Sequence, residues 1–184
     1  MSDRRLFAVF YLHKEENLLD PAAVEILARA SGVTEVALCS WGLGEGFAVV
    51  GSWGGLDVEV HLVSLDYYDS LVITFREDDF LERKEEEGAG GVVSAFRYAC
   101  AELSPVLAFV ATQYWPDSSS MISSQEEDVL NGDVVRIANQ RFGALFLTPE
   151  DADDLLAVDP DFNGDRISWD GGTILFRGVG EQRW

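Results

Sequence analysis

The chain predicts an α+β fold: a mostly antiparallel sheet with one or two packed helices, and short capped helices in the second half. Three observations carry this. Short apolar runs with two-residue alternation recur from end to end. Glycine turns of hairpin length separate several of them. Only two segments show the broad 3.6-residue apolar stripe of a helix packed on a sheet.

The elements follow in order. "LFAVFYL", Leu6 to Leu12, is a short continuous apolar run and reads as a buried first strand. Arg4 and Arg5 precede it, but the run ends in "HKEEN" with no small-residue cleavage site, so it does not read as a signal peptide. "LLDPAAVEILARASG" is the clearest helix. Asp20 suits the cap, Pro21 the first helical position, Leu19 and Val24 a hydrophobic staple, and Gly32 the stop. "TEVALCS", "GFAVVGSW", "LDVEVHLVSL" and "SLVITFRE" then read as a strand meander, with "SWGG" as one of its turns. Val58, Val60 and Leu62 alternate with Glu59 and His61, the pattern of a strand wet on one side.

"EDDFLERKEEEGAGG" interrupts this pattern. It reads as a solvated helix or a loop, and it marks a possible lobe boundary near residues 84–91 within one domain spanning 1–184. A second packed helix carries Val92, Phe96, Ala99 and Leu103 on one face. "SPVLAFVAT" reads as a buried strand. Ser124 and Glu127 form a capping box for a short helix that Gly132 ends. "DVVRIAN" and "FGALFLT" read as strands. Thr148, Pro149 and Asp151 open another acidic helix, and "RISWDGGTILFRG" closes the chain as a hairpin.

Composition then bounds function. Of 184 residues, 47% are apolar, which fills a real core. Thirty-three acidic residues face 13 basic ones, a net charge of −20. Such a surface is repelled by phosphate backbones and anionic membranes, so direct nucleic-acid and membrane binding are not expected. No apolar run approaches the ~20 residues of a membrane span. Cys39 and Cys100 stand far apart in apolar contexts and read as buried free thiols, which fits a reducing, cytoplasmic setting.

The motifs are weak. "DPDFNGDRISWD" places Asp159, Asp161 and Asn163 at alternate positions before Gly164, with Asp165 and Asp170 following, as a calcium loop does. Pro160 stiffens its start, Arg166 puts a cation inside it, and Gly171 and Gly172 lead into a strand rather than an exiting helix. The expectation is a turn and no metal. Gly42, Gly44 and Gly46 precede a strand, whereas a phosphate cradle needs a helix there, so no cofactor is expected. The histidines are His13 and His61. His61 shares a strand face with Glu59, a spacing open to a base and its orienter, but a solvated sheet face is the favoured reading. No nucleophile elbow or paired metal-ligand spacing occurs, and carboxylates are too numerous for any spacing between them to single out a catalytic pair.

Two acidic blocks remain. One includes Glu77, Asp78, Asp79, Glu85, Glu86 and Glu87. The other includes Asp151, Asp153 and Asp154. With the aromatics Tyr67, Tyr68, Tyr114, Trp115 and Trp184, of which Tyr114 and Trp115 are the first candidates, they suggest an acidic rim around apolar anchors, as protein interfaces use. The reading is a module that binds a basic protein partner: an inhibitor or immunity-type protein covering the cleft of a toxin or nuclease. The chain is similar to small bacterial immunity proteins in composition and size, and no motif ties it to one family. The alternatives are a small enzyme with a carboxylate-based or metal-assisted site, and an accessory or scaffold subunit.

Overall fold

The computed structural model describes residues 5–14, 21–41, 46–87, 90–111, 126–133, 142–158 and 165–176. The first half gives β1 (Arg5–His13), α1 (Pro21–Ala30), β2 (Thr34–Trp41), β3 (Gly46–Trp53), β4 (Leu56–Ser64), β5 (Tyr68–Arg76) and α2 (Glu77–Glu87). The second half gives α3 (Gly90–Leu103), β6 (Leu107–Ala111), β7 (Phe142–Leu147), α4 (Pro149–Val158), β8 (Asp165–Trp169) and β9 (Gly172–Phe176), with a short helical turn at residues 126–130.

The strands form a nine-stranded sheet in the order β2-β3-β4-β5-β1-β6-β7-β9-β8, and every pairing is antiparallel. β1 lies at its centre because it is apolar on both faces. Leu6, Ala8, Phe10 and Leu12 point into one core, and Phe7, Val9 and Tyr11 into the other. A strand wet on one side cannot occupy such a position without burying polar groups. β4 shows the contrast: Val58 and Val60 are buried, while Glu59 and His61 on its other face reach solvent.

The first core is larger. It takes Val24 and Ala28 from α1, Phe80 from α2, and Val92, Phe96, Ala99 and Cys100 from α3. Trp53 is fully buried there, packed edge-on to Phe10, and its indole N–H donates to the Ser31 carbonyl at 3.0 Å. The second core, on the opposite face, takes Ala152 and Leu155 from α4, with Val129 of the helical turn packed against it. The sheet is thus sandwiched between α1–α3 on one side and α4 with the 126–130 turn on the other.

Local signals set the element ends. Gly32 (φ 87°) stops α1, and Gly54 and Gly55 (φ 59° and 82°) make the β3–β4 turn, conformations that suit glycine. Thr148 caps α4: its hydroxyl donates to Asp151 Oδ2 at 2.7 Å and accepts the Asp151 N–H at 3.3 Å. The acid-rich stretch after β5 is helix rather than loop. Its first turn carries Glu77, Asp78 and Asp79, which complement the helix dipole. The junction near residues 84–91 joins α2 to α3.

One expectation is corrected. Cys39 is exposed, and only Cys100 is buried. β2 is an edge strand, so the apolar alternation around Cys39 is half wasted on solvent: Leu38 is 53% exposed. Among the described residues no helix is long and apolar enough to cross a membrane.

Candidate functional site

The two acidic blocks lie on opposite faces of the sheet. α2 sits with α1 and α3, anchored by Phe80, whereas α4 packs on the second core. A single compact interface therefore draws on one block, and the surroundings of each decide which.

On the α2 side the acids share their helix with Arg83 and Lys84, and Asp79 lies 3.9 Å from Arg76 Nε. On the α4 side the helix "PEDADDLLAV" has no basic residue. Glu150, Asp153 and Asp154 are exposed; Asp151 is half-buried because it serves the cap.

The end of the sheet beside α4 adds apolar contact area and rigidity. Glu126, in the helical turn, is 7% exposed. Its carboxylate accepts the backbone N–H of Tyr67 at 2.7 Å, of Tyr68 at 3.0 Å and of Asp66 at 3.4 Å. Three consecutive amides of the β4–β5 turn thus converge on one carboxylate, a nest for an anion supplied by the chain itself. The turn so held presents Tyr67 outward, 54% exposed, while Leu130 from the helical turn is 46% exposed. Asp66, Glu127 and Asp133 are exposed on the same two segments.

Beneath this surface the tyrosines feel the acids. Burial, then Glu126 and Asp128, pushes the Tyr11 hydroxyl far above its ordinary range. Tyr68 is raised by burial, then by Glu126 and Asp151, which puts the first turn of α4 within electrostatic reach of the β4–β5 turn. The two tied segments together expose Tyr67, Leu130 and several carboxylates on a pinned backbone. Chemically this surface is suited to receiving cationic side chains around an apolar contact.

Of the residues expected from the sequence, Asp151, Asp153 and Asp154 lie on α4, on this side of the sheet. Glu77, Asp78, Asp79 and Glu85 stand on the other face. Glu86 and Glu87 end α2, and their side chains lie outside the described residues, as do Tyr114, Trp115, Asp159, Asp161, Asn163 and Trp184. Asp165 begins β8, its side chain also outside the described residues, and Asp170 lies in the hairpin turn after the far end of that five-residue strand, roughly 17 Å along the backbone. Among the described residues no cluster of three or more His, Cys, Asp or Glu side chains is arranged to hold a metal. No protein-family model matches the chain, and a comparison with curated proteins finds no match.

Glu59 and His61 do come together, with His61 Nε2 3.7 Å from Glu59 Oε2. The same Oε2 receives Arg5 Nη1 at 2.5 Å, so it is already engaged by a permanent cation. Sequence reasoning named Tyr67 among the aromatics in polar settings and missed Glu126 and Leu130. The 126–130 helix was legible, but its tie to a turn some sixty residues earlier was not.

Proposed function

We propose that this protein binds a basic protein partner through the surface formed by the β4–β5 turn, the 126–130 helical turn and the start of α4. The observation that carries the reading is the Glu126 tie: an exposed Tyr67 held on a backbone fixed by three hydrogen bonds, with Asp66, Glu127 and Asp133 exposed on the two tied segments. An aromatic anchor with little freedom left to lose contributes more to binding than a mobile one, because less ordering entropy opposes association. The net charge of −20 steers a cationic surface toward it. In its finer form the reading is an inhibitor of immunity type, whose acidic surface covers the basic cleft of a toxin or nuclease.

The test begins with capture of a partner from extract of the native host on the immobilised full chain, followed by binding of that purified partner to variants. Y67A and the double variant D153R/D154R should each weaken binding, while charge reversal at Glu82 and Glu85 on the opposite face should not. Equal binding by all three would set the reading aside.

A further inference from the structure

Outside that surface the structure has a second polar feature, a hollow of about 430 Å³ on the sheet face opposite α1–α3, spanning β2 to β1. Glu59 pairs across β5 with Thr74, which pairs in turn with Phe7 of the second core, so these side chains share that face. Val50 and Thr74 lie on its floor, and charged groups ring it.

Two of these charges, Asp57 and Glu35, have no ion pair among the described residues, and a third is only loosely engaged. Arg76 Nε is buried and has no hydrogen-bond partner, and its ion pair with Asp79 is long, at 3.9 Å. Asp57 and Arg76 each lie just beyond the last paired residues of β4 and β5, Val58 and Phe75, and both line the hollow, yet no ion pair forms between them. Glu35 also lines the hollow without an ion pair among the described residues. Its backbone is strained, with φ at 53°, at the irregularity where β2 shifts register against β3. A buried unsatisfied donor and a strained non-glycine residue both cost stability, and both recur where a ligand is held.

We infer that this hollow binds a free basic α-amino acid. Its carboxylate meets Arg76 and the Thr74 hydroxyl, its α-ammonium meets Asp57, and its side-chain cation reaches Glu35. The charge count supports a guest of net +1: Arg5 and Arg76 face Glu35, Asp57 and Glu59, which leaves the lining one negative charge in excess. The spacing agrees. Glu35 on β2 lies two strands beyond Asp57 on β4, roughly 10 Å at sheet spacing, a span that an extended lysine or arginine side chain and the Glu35 side chain cover together. A phosphate or simple carboxylate would leave Asp57 and Glu35 unanswered, and a simple cation would leave Arg76 so.

Isothermal titration of the full chain with L-arginine tests this. The expected result is saturable binding at one site, with acetate and methylguanidinium each weaker by at least ~tenfold, since each forgoes a charge-assisted contact. E35G removes a carboxylate and also relieves the positive φ, so it should melt at or above the wild-type temperature while binding L-arginine at least ~tenfold more weakly. D57N and R76M should weaken binding similarly, and E25Q, which removes a carboxylate from α1 on the other face, should not. Absence of saturable heat with L-arginine overturns the inference. So does methylguanidinium binding as tightly as L-arginine, or wild-type affinity in a folded E35G protein. None of these outcomes bears on the Tyr67 surface, which is tested by its own variants.

Discussion

Glu126 and Tyr67 are joined by a 2.7 Å hydrogen bond from the Tyr67 amide to the Glu126 carboxylate, across fifty-nine residues of sequence. This bond ties the only described helical turn of the 126–133 segment to the β4–β5 turn, and with the Tyr68 and Asp66 amides it replaces solvent for a whole turn of backbone.

The first prediction follows from that bond. Glu126→Ala leaves part-buried amides without an acceptor and should destabilise the fold by about 1–3 kcal/mol. Glu126→Gln keeps an acceptor oxygen and should cost less. Urea unfolding of both variants checks this, and an E126A protein as stable as wild type would show that the bond carries no weight. The same variant should weaken partner binding by loosening Tyr67.

Which parts of this were legible in the sequence follows from how local their causes are. The α3 stripe Val92–Phe96–Ala99 is a property of one helix and was readable, as was the Thr148–Asp151 cap, whose partners are three residues apart. The opposed faces of the two acidic blocks were not readable, because they depend on which side of the sheet each connection crosses. Cys39 shows the same limit. Its alternation matches that of a buried strand, and only the strand order, a non-local property, reveals that β2 is an edge. The hollow among Arg5, Glu35 and Arg76 draws on strands from distant parts of the chain, so no spacing announces it.

The two thiols should differ sharply in reactivity. Cys39 is exposed, while Cys100 is buried and its pKa is raised by that burial, which depletes the reactive thiolate. An aromatic disulfide reagent should label one thiol rapidly in the native protein and the second only on unfolding. Mass mapping should place the fast label on Cys39. Rapid labelling of Cys100 in native conditions would contradict its packing against the α3 face of the core.

Alkaline pH should destabilise the protein earlier than charge repulsion alone requires. Tyr11 has a folded pKa raised above its ordinary value of 10.0, first by burial and then by Glu126 and Asp128. Above that ordinary value the unfolded chain releases the phenolic proton while the folded chain keeps it. The unfolded state then binds fewer protons, so stability falls as pH rises. Below it the contribution is fully present. Tyr68 is shifted in the same direction. Stability measured from pH 8 to pH 11 should decline beyond about pH 10, and Tyr11→Phe should flatten the decline even where it lowers stability at neutral pH. An unchanged slope in Y11F would contradict the assignment.

The central claim, that the acidic surface bearing Tyr67 receives a basic partner, is tested most directly by the association rate of the purified partner as ionic strength rises. Surface charges are screened over ~8 Å at physiological salt, so steering should fade while desolvated contacts persist. The account predicts a steep fall in association rate for the wild-type protein and a shallower one for D153R/D154R. For Tyr67→Ala it predicts a salt dependence like that of wild type but faster dissociation. An association rate indifferent to salt, with D153R/D154R and Y67A both binding as wild type does, would contradict it.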